Sequence, residues 1–534
     1  MDRSASALHG HHNLPTHATA LVGRDRDVAE LRQLLLSDDG RLVTLTGVGG
    51  CGKTRLALGV ASSLIGSFKD SVWLVELAAL ADPLLVPQAV ASVLGVRERA
   101  NQSLLAALVA HLARRQLLLV LDNCEHLVKA CAELADTLVR GCPGVRLLAT
   151  SREALHIPGE RAWRVPSLAI PDPRSIVRHD ELLQFPAVQL FVERAQAVQS
   201  NFGVTPRSAP VLVAICARLE GLPLAIELAA AWVRALGVEQ ILERLDDAFG
   251  LLVGGSQLAP NRQQTMRATL DWSYGLLAPP EQIVFRRLAV FVGGWSLEAA
   301  EEICSGSGVA PQELLGLLTR LVDASLVQVD ERDGRARYRL LEPVRQYAHE
   351  RLGTSGEMDS VRHQHASWFE SFAERWETDA NVGGPRREAA HAALELERDN
   401  LRASLRWCVD QGDAPMGFRL CRAHWNLWVV QGAFSEGRAW LTQLAALPDA
   451  AKAPAMRAVA QSIEATLAWR QGSYARALEL QREALPLLRH ADDPWSLHAR
   501  SPISAMSRSI RETTAPRRHT STRRWQSRVA PAIA

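Results

Sequence analysis

Long apolar runs are missing from this 534-residue chain: no stretch of ~18 uncharged apolar residues occurs, which argues against a membrane-spanning helix. The N-terminal residues, among them Asp2, Arg3, His9, His11 and His12, contain no apolar core of a secretory signal. The eight cysteines form no C-x-x-C pair and no framework spacing, which speaks against a disulfide scaffold. Reduced thiols in the cytoplasm are the expectation. Lysine is scarce: Lys53, Lys69, Lys129 and Lys452 stand among 60 basic residues, so a lysine kept at a special place is informative. An excess of one charge is also missing from the total of +2, but it is unevenly spread. Residues 500–534 carry eight Arg against Glu512 alone, and the body carries a net −5. Charge therefore gives no case for a nucleic-acid-binding body. What is present, 47% hydrophobic and 22% charged residues with mean hydropathy −0.03, is a globular composition.

The pattern along the chain divides it. Residues 1–18, rich in His, Ser and Ala, read as a disordered lead, with His9, His11, His12 and His17 solvated rather than metal-bound. From 19 to 171, short runs apolar on both faces (Leu42–Thr46, Val72–Leu77, Leu117–Leu121, Val145–Ala149) alternate with helical patterns such as Thr54–Ile65 and Leu104–Leu112. That alternation predicts a parallel sheet with helices on both faces. Residues 185–255 read as a helical domain, broken at Gly221-Leu222-Pro223. Residues 256–355 read as helices followed by a hairpin, Leu326–Val329 and Arg337–Leu341 around Asp333-Gly334, the pattern of a winged-helix domain. Residues 356–498 are helical, and two similar stretches starting at Gly432 and Gly472 suggest tetratricopeptide-like (TPR-like) helix pairs. Residues 499–534 read as a basic, disordered tail, and the abrupt change of texture also fits a shift of reading frame.

The sharpest motif is Gly47-Val48-Gly49-Gly50-Cys51-Gly52-Lys53-Thr54, a full G-x-x-x-x-G-K-[ST] between a strand and a helix. Its glycines let backbone N–H groups turn inward around phosphate oxygens, and the helix start adds partial positive charge. Lys53 is expected on the β- and γ-phosphates and the Thr54 hydroxyl on Mg²⁺. Cys51 contributes its backbone. Asp122, closing the apolar run 117–121, is the expected second metal partner. Asn123 follows where many P-loop ATPases carry a second acid, and Glu125 is displaced from that place by two residues. Fast hydrolysis is therefore not expected, and the nucleotide reads as a switch. Arg152, just past the strand Val145–Ala149, can reach a γ-phosphate.

These motifs, with Val22-Gly23-Arg24, Leu121–His126, Thr150-Ser151-Arg152 and Gly221-Leu222-Pro223-Leu224-Ala225 in this order, resemble the STAND class of signalling ATPases with an NB-ARC-like core. Residues 262–274 and 338–348 are similar to large bacterial LuxR-type transcriptional regulators. The resemblance implies that Val22 and Arg24 pack on adenine, that Pro223 closes over the base and that Arg152 senses the γ-phosphate. It implies ATP/ADP and Mg²⁺ as cofactors, an inducer or protein partner at the helical repeats, and a homo-oligomer in the ATP form. Two departures stand out. Leu340-Leu341-Glu342 replaces the Met-His-Asp that such proteins place against the nucleotide, and no helix-turn-helix pair follows Arg500, which argues against DNA binding by this chain. The expected function is an ATP/ADP-dependent switch of a transcriptional-regulator type, at most a slow ATPase. The alternatives are an ATPase with real turnover and a truncated regulator that only binds nucleotide.

Overall fold

The computed structural model describes residues 12–15, 20–99, 102–171, 181–252, 261–332, 334–382 and 386–489. The expected basic tail, and His9, His11 and His17 of the expected lead, lie outside the described residues.

Five parallel strands form one sheet: β1 (Leu42–Thr46), β2 (Val72–Glu76), β3 (Leu117–Asp122), β4 (Val145–Ser151) and β5 (Glu160–Arg164). Their order is β2-β3-β4-β1-β5. Side chains alternate across a strand, so a strand covered on both faces must be apolar throughout. Here Val43, Leu45, Leu118, Val120 and Leu148 enter one apolar cluster, together with Leu31, Leu35 and Leu56 of the helices Asp25–Leu36 and Lys53–Ser63. Leu42, Leu119, Leu121, Leu147 and Ala149 enter the other, against the helices Val86–Leu94, Leu104–Leu112 and Val128–Gly141. Strand β5 was not expected. Its sequence, Glu-Arg-Ala-Trp-Arg, has no apolar run because it lies at the sheet edge beside β1 with its side chains largely in solvent.

The expectation of a wholly disordered lead is corrected at residues 12–15. The Asn13 side chain donates from Nδ2 to the Leu74 carbonyl (2.8 Å) and accepts at Oδ1 from the Leu74 N–H (2.7 Å). Strand β2 is the other edge of the sheet, and an amide side chain carries the same donor and acceptor as a peptide group. Leu14 is buried beside it.

Helices Pro186–Val198, Ser208–Arg218, Pro223–Ala230, Val238–Leu252 and Asn261–Gly275 follow. Next come Pro279–Arg287, Leu297–Cys304 and Pro311–Asp323, then the antiparallel hairpin β6 (Gln328–Arg332) and β7 (Arg335–Arg339). The hairpin expected from Leu326 starts two residues later. Leu326 and Val327 are buried, and their N–H groups close the preceding helix on the Leu321 carbonyl. Trp295 pairs with Tyr338 through two backbone hydrogen bonds of 2.9 Å, adding a third short segment to the hairpin.

From the helix Glu342–Ser355 to the helix Tyr474–Arg489 the described chain is helical. Two groups of polar contacts are prominent among those that join this region to the rest. Arg337 of β7 holds Glu397 at 2.6 and 3.2 Å, with Asn400 donating to Glu397 (2.8 Å) and to the Gly294 carbonyl (2.8 Å). Glu98, after the helix Val86–Leu94, accepts from the Ser435 N–H (3.2 Å) and hydroxyl (3.1 Å) and from Gln471 Nε2 (2.6 Å). Beside it, Gly432 at φ 70° ends the helix Ala414–Gln431, and a Cβ there would lie 2.8 Å from Arg97 Cβ. Among the described residues, no helix is long and apolar enough to cross a membrane.

Candidate functional site

Parallel register makes the site. Leu45 lies opposite Thr150 and Leu121 opposite Ala149, so the carboxyl ends of β1, β3 and β4 come level. Gly47, Asp122 and Arg152 therefore share one edge of the sheet, where open α/β sheets place their ligands. The loop 47–52 leads straight into the helix Lys53–Ser63, with Gly52 in the left-handed region at φ 92°. Gly50 is also left-handed (φ 79°), and its surroundings leave no room for a side chain: a Cβ would lie 2.5 Å from Met266 Cε and 3.0 Å from Leu224 Cβ.

Lys53 is nearly buried at 9% exposure, and its Nζ donates to the carbonyls of Gly47 (2.8 Å) and Val48 (3.2 Å). The Thr54 hydroxyl donates to Asp122 Oδ1 at 2.8 Å, and the Thr150 hydroxyl donates to the same oxygen at 2.6 Å. Burial pushes the Asp122 carboxyl above its ordinary range, against the pull of Thr150, Thr54 and Lys53. Burial likewise raises the Cys51 thiol, so the loop does not offer a thiolate.

Arg152 donates from Nε to Glu125 Oε1 (2.7 Å) and from a terminal nitrogen to Gln346 Oε1 (2.6 Å). Glu125 Oε2 lies 4.0 Å from Lys53 Nζ. Arg24, 4% exposed, donates to the carbonyls of Pro166 (2.7 Å) and Cys51 (3.4 Å) and pairs with Asp27 (2.8 Å). It braces the loop from below, and its guanidinium is committed to protein oxygens. Val22 is buried beside it. Pro223 begins its helix against the loop, 3.8 Å from where a Gly52 Cβ would lie, and the Leu224 N–H donates to the Gly50 carbonyl (3.2 Å). The structure thus brings Gly47 to Thr54, Asp122, Arg152 and Pro223 together, with Val22 and Arg24 under the loop.

The sequence did not reveal three of the neighbours. Pro343 would lie 3.2 Å from a Cβ on Gly49, Met266 flanks Gly50, and Gln346 holds Arg152. Each arrives from more than 200 residues along the chain or nearly so, and no local spacing announces it. The donor set fits a magnesium nucleotide: a glycine loop with no room for a side chain at Gly50, a lysine at its mouth, and a hydroxyl and a carboxylate meeting where Thr54 and Asp122 would hold the cation.

Comparison with known proteins bears on the same residues. A family model described as an AAA domain matches residues 36–157, and one described as a winged helix-turn-helix domain matches 277–353. Rv0890c of Mycobacterium tuberculosis, named as a candidate HTH-type transcriptional regulator, is 40% identical over 476 residues, covering 88% of this chain and 51% of its own. The chain thus spans about half the length of that relative. Rv0894 of the same organism, which carries no functional name, is 40% identical over 351 residues, 66% of this chain and 86% of its own. Regulatory protein AfsR of Streptomyces griseus is 30% identical over 356 residues, 63% of this chain and 32% of its own. A STAND protein with a tetratricopeptide repeat sensor from Pyrococcus horikoshii superposes on 94% of this chain and 69% of its own, with a TM-score of 0.49 and 14% identity. That likeness is too loose to build on.

Proposed function

From a chain that belongs to the family of the mycobacterial protein Rv0894, with an AAA-type ATPase core and a winged helix-turn-helix domain, we propose a nucleotide-dependent regulator that switches between ADP and ATP forms in the cytoplasm. The observation that carries this reading is the seating of the winged-helix region on the phosphate loop. Pro343 abuts Gly49, and Gln346 grips Arg152, the residue we assign to γ-phosphate sensing. Val22, Arg24 and Pro223 hold the base side; Gly47, Gly49, Gly50, Cys51, Gly52 and Lys53 hold the phosphates; Thr54 and Asp122 hold Mg²⁺. Asp122 and Arg152 are the residues on which any hydrolysis depends. The helices from residue 356 onward read as the TPR-like sensor for an inducer, the switch as STAND-like, and the regulator as LuxR-type by its motifs.

The winged helix-turn-helix domain acts here as a lid more than as a reader of DNA. The exposed face of the helix Pro311–Asp323 presents Gln312, Glu313, Leu315, Gly316 and Thr319. Its one arginine, Arg320, is paired with Glu281 at 3.1 Å. DNA affinity needs free cations toward phosphates. The relatives named for transcriptional regulation are about twice as long as this chain.

The test is Lys53→Ala, with nucleotide affinity read by calorimetry. Charge-assisted phosphate contacts are each worth roughly 1.5–3 kcal/mol, so ATP and ADP affinity should fall at least tenfold while the melting temperature stays near that of the parent. Unchanged affinity would refute the reading.

A further inference from the structure

The geometry points to Glu125 as an internal anion that stands in for the terminal phosphate and must yield its place when a triphosphate binds. This rests on the reading of the loop as a nucleotide site. Its carboxylate lies between the two cations assigned to that phosphate: Oε1 accepts from Arg152 Nε at 2.7 Å, and Oε2 faces Lys53 Nζ at 4.0 Å. Among the described residues, Lys53 otherwise meets the loop carbonyls of Gly47 and Val48. The other carboxylate of the site, Asp122, is engaged by two hydroxyls. Glu125 Oε2 is buried and accepts no hydrogen bond. A buried carboxylate oxygen without a donor is costly and calls for an explanation, and one that yields to a stronger anion supplies it.

Local structure aims the residue there. Asn123 takes the left-handed conformation (φ 64°), which Asn tolerates better than most residues. Its N–H is held by the Thr150 hydroxyl at 2.9 Å. The short 3₁₀ turn Cys124–His126 follows, fastened by His126 Nε2 to the Leu80 carbonyl (2.8 Å). The turn brings a side chain three places beyond the strand end back to the mouth of the loop. Triphosphate and Glu125 then compete for the same cations, whereas a diphosphate leaves the Glu125–Arg152 pair in place. Glu125 thereby biases the resting protein toward ADP and keeps Arg152 turned to Gln346.

The experiment titrates the full chain with Mg²⁺ and either ADP or a non-hydrolysable ATP analogue, and compares the parent with Glu125→Gln. The quotient of the two dissociation constants is the readout, since it is insensitive to a fraction of misfolded protein. Removing one competing charge from a buried site should tighten the analogue roughly tenfold and leave ADP within about twofold. The gain should shrink in an Arg152→Ala background, where one of the two released cations is gone. Glu125→Ala carries the same expectation if Glu125→Gln folds poorly. An unchanged quotient, or equal shifts for both nucleotides, overturns the inference while leaving the nucleotide site intact. A loss of turnover with an unchanged quotient overturns it too, in favour of a base that activates water. If the parent binds neither nucleotide, the reading of the loop itself fails and the inference with it.

Discussion

At the scale of single residues, the strongest commitments of charge lie away from the nucleotide site. Arg337 and Glu397 form a two-pronged pair between the wing and the C-terminal helices, with side chains only 10% and 6% exposed. Arg337 also donates to the carbonyls of Gly294 and Leu396. Such a pair gains little against a well-packed apolar alternative, but removing one partner strands the other in low dielectric. Glu397→Ala should therefore cost about 3–5 kcal/mol in chemical denaturation followed by tryptophan fluorescence, and Glu397→Gln, which keeps one acceptor, clearly less. A loss below about 1 kcal/mol would show that water reaches Arg337. Glu125 makes the contrast clear: its side chain is nearly buried too, yet one of its oxygens is without a donor.

At the scale of elements, burial sets a pH dependence. His365, on the helix Met358–Val382, packs on the rings of Phe291 and Phe369 and meets Asn400 Oδ1 and the Ser404 hydroxyl at 3.3 Å. Burial pulls it down to about 4 from the ordinary 6.5, and His424 likewise to about 4. An unfolded histidine takes its proton first as pH falls. The stability tied to the neutral folded form is thus complete above pH 6.5 and lost progressively from there toward pH 4, by a few kcal/mol in total. Melting temperatures at pH 7.5, 6 and 5 should show this slope, and His365→Gln should remove part of it; an unchanged slope in that variant would mean His365 does not set it. Elements also show what could be read ahead of the structure. Strands β1 to β4 were legible because helices on both faces of the sheet demand largely apolar runs, and the phosphate loop because its chemistry fits within eight consecutive residues. Edge strand β5 was not, since its side chains lie largely in solvent and so impose no apolar pattern. Glu125 looked displaced because linear spacing does not show a left-handed turn at Asn123. Pro343 and Gln346 reach the loop only through the packing of whole domains.

At the scale of the molecule, the ATPase core touches the C-terminal helices directly as well as through the winged-helix region. Glu98 receives Ser435, in the first turn of the helix Phe434–Ala445, and Gln471, which ends the helix Pro454–Arg470, and Gln471 also donates to the Ser435 hydroxyl at 2.8 Å. This contact gives the C-terminal helices a short path to the core. It is partly exposed, so Glu98→Ala should cost only about 1 kcal/mol. Hydrogen exchange should nonetheless rise around residues 434–437 and 471–474, while ADP affinity stays unchanged. Exchange confined to the loop around Glu98 would mean the helices are held by other contacts. Asn13 has a different reach. The amide that closes the rim of β2 lies more than twenty residues ahead of the segment recognised as an AAA domain, as does Leu14, and Val22 and Arg24 beneath the phosphate loop also precede that segment. A fragment cut to the recognised segment would carry every phosphate-binding residue and still present a bare strand edge to its neighbours in solution, a template for stacking one copy on the next. The minimal unit that stays monodisperse is thus longer than the minimal unit that carries the chemistry.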